Sequence, residues 1–155
     1  MNNRKIGDLF ERKVASRLDE ASLVRGSGSW DWAKGDVLTD TYCIQCKYTD
    51  KPFYKLSLSD LVKAEKEASQ EKKDFLFCIG FNGLDFILDR CCVIDKTRTI
   101  ITTDNKSIKL YVNSLEKDKE SYILFNYLNK KYLYRYRFFD LFLTELETTK
   151  EGFDK

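Results

Sequence analysis

The stretch KGDVLTDTYCIQCKYTD, residues 34 to 50, decides how the chain is to be read. Within it, GDVLTD (35–40) and YCIQCKYT (42–49) have the β-branched and aromatic content of strands. Asp40 and Thr41 provide a tight turn between them, so a hairpin is predicted. On the second strand, alternation places Cys43, Gln45 and Lys47 on one face and Ile44, Cys46 and Tyr48 on the other. A lysine projecting beside a glutamine from an otherwise apolar strand needs a reason, because an ammonium taken from water without a partner is costly. Asp36, at the start of the first strand, is carried by hairpin pairing to the same end of the sheet. A carboxylate, an amide and an ammonium therefore converge.

Upstream, residues 3 to 20 carry Ile6, Leu9, Phe10, Val14 and Leu18 at three- and four-residue spacing, the stripe of an amphipathic helix, with Glu11 beside it. Gly26, Gly28 and Gly35 mark an irregular connection from this helix to the hairpin. Downstream, Pro52 closes the hairpin, and SLSDLVKAEKEASQEKK (57–73) reads as a second helix with Ser57 or Ser59 as its N-cap. FLFCIGF (75–81) and LDFILDRCCVI (84–94) are apolar runs of strand length separated by Asn82 and Gly83. The order helix, strand, strand, helix, strand, strand predicts an α/β fold with a central mixed β-sheet flanked by helices.

The last third is less regular. SIKLYVNSL (107–115) has strand character, and residues 139 to 150 read as a closing helix. KKYLYRYRFF (130–139) alternates strictly, with Tyr132, Tyr134, Tyr136 and Phe138 on one side and Lys131, Arg135 and Arg137 on the other. Such a strand is either half-exposed with a solvated basic face, or a surface on which Arg135 and Arg137 hold nucleic-acid phosphates beside aromatics.

At 155 residues, with 43% hydrophobic and 14% aromatic residues and a single proline, the chain is expected to form one globular domain, residues 1–155. The charged N-terminus and the lack of an apolar run of about 18 residues give no membrane segment and an expected cytoplasmic location. Five cysteines, an odd number set in strand-like runs, predict buried reduced thiols. Cys43 and Cys46 spell CxxC, but on a strand they face opposite ways and cannot share a metal. The absence of histidine is more restrictive. It removes Ser-His-Asp and Cys-His catalysis, histidine-ligated zinc and any histidine general base. Chemistry is left to carboxylates, lysine, hydroxyls and a hard metal. The net charge of +2 says little about partners.

Asp36, Gln45 and Lys47 suit phosphodiester hydrolysis. Magnesium prefers oxygen ligands and retains water, bound water is a better nucleophile, and a nearby lysine can orient it or stabilise the developing charge. The run of Glu11 on a helix, a GSGS loop (26–29), Gly35-Asp36 and Gln45-Cys46-Lys47 resembles the PD-(D/E)xK nuclease superfamily, and within it the archaeal-type and phage Holliday junction resolvases. The resemblance covers about residues 4–95 as the core and leaves about 100–155 as a C-terminal extension.

It implies a restriction-endonuclease-like core and a magnesium-dependent DNA endonuclease, with manganese as a substitute ion. The expected substrate is branched or four-way-junction DNA in recombination or repair, cleaved by a homodimer. Carried over, Glu11, Asp36 and Gln45 are the metal ligands, with Lys47 and Ser29 completing the catalytic set. Arg25, Ser27 and Lys34, together with Arg135 and Arg137, are the DNA-binding candidates. Gly35 stands where the superfamily name has proline, and Gln45 where it has an acid, which removes one negative charge from the metal site. The alternatives are a nicking, repair or restriction-type duplex nuclease, and an inactive DNA-binding module of the same fold.

Overall fold

The computed structural model of the chain describes residues 3–18, 22–23, 36–81, 83–113 and 119–153. In order these form α1 (Asn3–Ser16), β1 (Ser22–Leu23), β2 (Val37–Leu38), β3 (Tyr42–Thr49), β4 (Phe53–Ser57), α2 (Leu58–Gln70), β5 (Asp74–Phe81) and β6 (Leu84–Arg90). There follow β7 (Ile100–Thr103), β8 (Ser107–Tyr111), β9 (Ser121–Tyr127), β10 (Lys130–Phe138) and α3 (Phe139–Phe153). Eight strands make one mixed sheet in the order β1-β2-β3-β5-β6-β10-β9-β7, and β4 and β8 form a separate two-stranded sheet. The α/β architecture with a central mixed sheet is the one expected, and it is compatible with a restriction-endonuclease-like core. Among the described residues no helix is long and apolar enough to cross a membrane.

The sheet is buried on both faces. Residues 75 to 80 of β5 are all buried, which is why its sequence is a continuous apolar run rather than an alternating one. Phe75, Phe77, Ile79 and Phe81 join Cys43, Tyr134, Tyr136 and the α2 residues Leu58, Leu61, Ala64 and Ala68 in one core. Leu76 and Cys78 join Ile44, Cys46 and Val37 with Phe10 and Val14 of α1 and Phe139 and Phe142 of α3 in the other. Cys43 and Cys46 thus lie in different cores, as alternation requires. α2 covers one face, while α1 and α3 cover the opposite one.

Three sets of contacts fix the parts that matter for the site. A Cβ built on Gly80 would lie 2.6 Å from the Phe10 ring, so only glycine lets α1 settle this closely onto β5. At the β2–β3 turn, the Thr39 hydroxyl accepts the Tyr42 and Thr41 N–H groups at 2.8 and 3.2 Å. From the end of α2, the Lys73 ammonium donates to the carbonyls of Thr39 and Asp40.

Four strands escaped the sequence reading: β1, β4, β7 and β9. β4 directly precedes α2, where Ser57 is the N-cap with extended backbone, although its hydroxyl lies 2.7 Å from that of Ser59 instead of bonding a helix N–H. The C-terminal third is not set apart from the core. β10 inserts between β6 and β9, and its Tyr134 and Tyr136 are 0% exposed.

Candidate functional site

Antiparallel pairing of Val37 with Ile44 places Asp36 across from Gln45. One carboxylate oxygen of Asp36, Oδ2, accepts two hydrogen bonds of 2.9 Å, from the Gln45 side-chain Nε2 and from the Cys46 backbone N–H. The Asp36 N–H in turn donates to the Ile44 carbonyl at 2.9 Å. Asp36 is therefore clamped to β3 by main chain and side chain together, and its Oδ1 accepts no hydrogen bond from the described residues.

Lys47 stands two residues beyond Gln45 on β3 and is half-buried. Glu11 arrives from the other layer. It follows Phe10, whose ring sits over Gly80 and 5.8 Å from that of Tyr48, so the same packing that seats α1 presents Glu11 to β2 and β3. Burial, then the carboxylates of Asp36 and Asp8, push Glu11 from its ordinary 4.5 up to about 7, against the opposing pull of Lys47. Asp36 is also raised. Its burial outweighs the Cys46 N–H and the Lys47 charge, and Glu67 adds to the rise. Glu11, Asp36 and Lys47 thus form one electrostatically coupled group.

Glu67 was missed in the sequence. It lies on α2 between Ala64 and Ala68, both buried, and so flanks the helix face that meets the sheet. Its charge bears on Cys43 as well as on Asp36. Burial, followed by Glu67, Glu71 and Asp36, drives the Cys43 thiol up to about 11. The available signal was the helical spacing, which puts an acid at the edge of the apolar stripe.

The donor set suits a hard divalent ion in kind: the carboxylates of Asp36 and Glu11 and the Gln45 amide, with Asp36 Oδ1 accepting no hydrogen bond from the described residues. It is not closed. Among the described residues no three acids, thiols or imidazoles gather into a group that could hold a metal by themselves. Gln45 presents its N–H groups to Asp36, and its oxygen would face a shared cation only after the amide turned over.

Of the other candidates, Arg25, Ser27, Ser29 and Lys34 lie outside the described residues. Arg135 and Arg137 are described, and the solvated basic face expected of them is absent. Arg137 is 2% exposed. It pairs with Glu145 of α3 and lies 3.7 Å from Asp89, with its guanidinium 5.2 Å from the Phe142 ring centre. Arg135 holds Asp89 through two hydrogen bonds of 3.0 and 2.6 Å and lies 3.6 Å from Glu120. The alternation of the strand is real, but α3 covers Arg137, and the carboxylates of Asp89, Glu120 and Glu145 take the place at the two arginines that phosphate or water would have had. In this conformation Arg137 cannot reach a nucleic-acid backbone.

No protein-family model matches the chain, and no curated protein matches it either.

Proposed function

We propose that this chain is a magnesium-dependent DNA endonuclease acting on branched DNA, as a homodimer and in the cytoplasm. The observation that supports it best is the clamp of Asp36 to Gln45 and Cys46, with Lys47 on the same strand and Glu11 delivered by a separate helix. A carboxylate fixed from two sides, with one oxygen that accepts no hydrogen bond from the described residues, is what a hard cation needs from a rigid ligand.

In this reading Asp36 and Glu11 hold the ion and the Gln45 amide contributes a neutral ligand or contacts substrate. When bound, the ion supplies a more acidic water and neutralises charge at the phosphate. Lys47 offsets the negative charge that develops on the phosphate oxygens. The preference for a four-way junction and the paired active sites of a dimer come from the family resemblance alone.

The test is metal-dependent cleavage of a labelled four-way junction beside a linear duplex, for the wild type, Asp36→Asn and Lys47→Ala. Cleavage by the wild type that both substitutions abolish, with folding and DNA binding retained, is the expected result. Wild-type rates in either variant would dismiss the site.

A second reading is favoured by one observation, the Gln45–Asp36 hydrogen bond itself. A neutral amide satisfying a half-buried carboxylate is a stable arrangement without any metal. It fits an inactive DNA-binding module, which would bind the junction in the same assay and leave it intact at every magnesium concentration.

A further inference from the structure

The small sheet of β4 and β8 has two unlike faces. Leu56 and Leu110, 0% and 1% exposed, turn inward with Tyr54 and Ile108 onto the α2 side of the core. The outward face carries Phe53 opposite Tyr111 and Lys55 opposite Lys109. Lys55 and Lys109 are exposed, as are Lys51 and Lys106 at the ends of the two strands.

Two lysines directly opposed on one face repel each other, and a sheet normally avoids this or inserts an acid. Neither occurs here. Among the described residues none of the four lysines makes an ion pair, and three of them lie over aromatic rings. Lys109 lies 4.9 Å and Lys51 5.9 Å from the Phe53 ring centre, and Lys106 lies 5.4 Å from that of Tyr127. The nearest acids in sequence, Asp50 and Asp104, are exposed in the segments leading into the strands, and Asp60 belongs to the first turn of α2. Phe53 and Tyr111, with ring centres 6.0 Å apart, add a partly exposed aromatic pair.

The geometry points to the β4–β8 ribbon as the surface that holds the phosphate backbone of the DNA substrate. Opposed ammonium groups without carboxylates are complementary to a row of phosphates and to little else on a protein surface. Aromatic rings among them can stack on an unpaired base at a branch, which favours nucleic acid over an anionic bilayer. Position agrees. Phe53 follows Lys47 by six residues, a span of at most about 20 Å even when fully extended. That is less than one turn of duplex, about 34 Å, so DNA held on the ribbon can present a phosphate to the site. The nature of the partner rests on the nuclease proposal; the basic ribbon itself does not.

The experiment measures binding of a labelled junction and a labelled duplex in chelator, over a range of salt, with cleavage in magnesium measured separately. Lys55→Glu/Lys109→Glu is compared with Lys130→Glu/Lys131→Glu, which makes the same charge change at exposed positions of the β9–β10 hairpin. Lys55→Gln/Lys109→Gln serves as a milder version if reversal disturbs folding. We expect the ribbon variants to lose at least about tenfold in affinity and the glutamine pair to flatten the log-log salt slope by about 2. The control should change far less. Equal losses in ribbon and control variants, or no loss in a folded ribbon variant, would overturn the assignment. So would a wild type that binds phosphatidylserine vesicles through these lysines and does not bind DNA. Ribbon-dependent DNA binding without cleavage at any magnesium concentration would retain the ribbon and dismiss the nuclease proposal.

Discussion

Gln45 donates its side-chain N–H to Asp36 Oδ2 across 2.9 Å, so a neutral amide stands directly against the carboxylate most deeply set in the candidate site. Replacing that amide by an acid tests what it is for. Gln45→Glu removes a donor and puts a second negative charge within hydrogen-bonding distance of Asp36, where one of the two must stay protonated in the absence of a cation. Without metal, the variant should be less stable at neutral pH by about 1–2 kcal/mol. Magnesium should stabilise it more than it stabilises the wild type, and half-maximal cleavage should need less of the ion. Urea denaturation with and without magnesium, beside a magnesium titration of cleavage, decides this. A variant that gains nothing from magnesium would mean that the amide serves substrate or structure instead.

The raised Glu11 carboxyl gives the fold a specific dependence on pH. Its folded value of about 7 lies above the ordinary 4.5, so the folded state binds this proton more tightly than the unfolded chain does. The resulting stability is fully present below about pH 4.5 and is lost as pH rises through about 7. Glu11→Gln removes the dependence. The variant should match the wild type near pH 4.5 and exceed it near pH 8 by on the order of 1 kcal/mol, a figure reduced for the solvent that reaches Glu11. Denaturation midpoints of both proteins across that range measure it. Parallel profiles would show that Glu11 titrates as an ordinary surface acid.

Gly80 should tolerate nothing larger. Alanine there drives a methyl into the Phe10 ring, at 2.6 Å before any relaxation, and α1 must lift or the ring must turn. We expect Gly80→Ala to cost about 1–3 kcal/mol. Cleavage should fall more than stability alone explains, because Phe10 and Glu11 are neighbours on one helix. Adding Phe10→Leu should recover part of both losses. If the double variant is no better than Gly80→Ala alone, the Phe10 contact is not what positions α1.

Arg137 should matter to stability and not to DNA affinity. Arg137→Met leaves Asp89 with Arg135 and breaks the pair with Glu145, whose carboxylate is 47% exposed and can be taken up by solvent, at a cost of about 1 kcal/mol. Where the variant remains folded, its affinity for duplex and junction should equal that of the wild type. A salt slope flattened by about 1 with stability unchanged would reverse this and return Arg137 to a phosphate contact.

Much of the frame was legible along the chain because it is local. Strand alternation put Gln45 and Lys47 on one face and Cys43 and Cys46 on opposite ones. The turn residues Asp40 and Thr41 fixed a register that sets Asp36 across from Gln45, and the apolar spacing of residues 6 to 18 fixed α1. The central mixed sheet followed from the order of these elements. β7 did not stand out because it exists through parallel pairing with β9, beyond a long connection; β9 was missed although it pairs with β10 across a tight turn at Leu128 and Asn129, where no glycine or proline marks the turn. β4 reads as a linker until β8 pairs with it.

The site divides in the same way. Asp36, Gln45 and Lys47 lie on one hairpin and could be grouped from spacing. That Glu11 reaches them depends on the space left at Gly80, and Glu67 bears on Asp36 only because α2 covers that face of the sheet. Arg137 marks the limit most clearly. Its sequence neighbours describe an alternating strand with a basic side, and nothing local says whether water, phosphate or protein lies against that side. α3 folding back over β6 and β10 decided it, by bringing Glu145 and Phe142 onto a guanidinium already facing Asp89. Periodicity assigns a side chain to a face; only the packing of distant elements determines what that face meets.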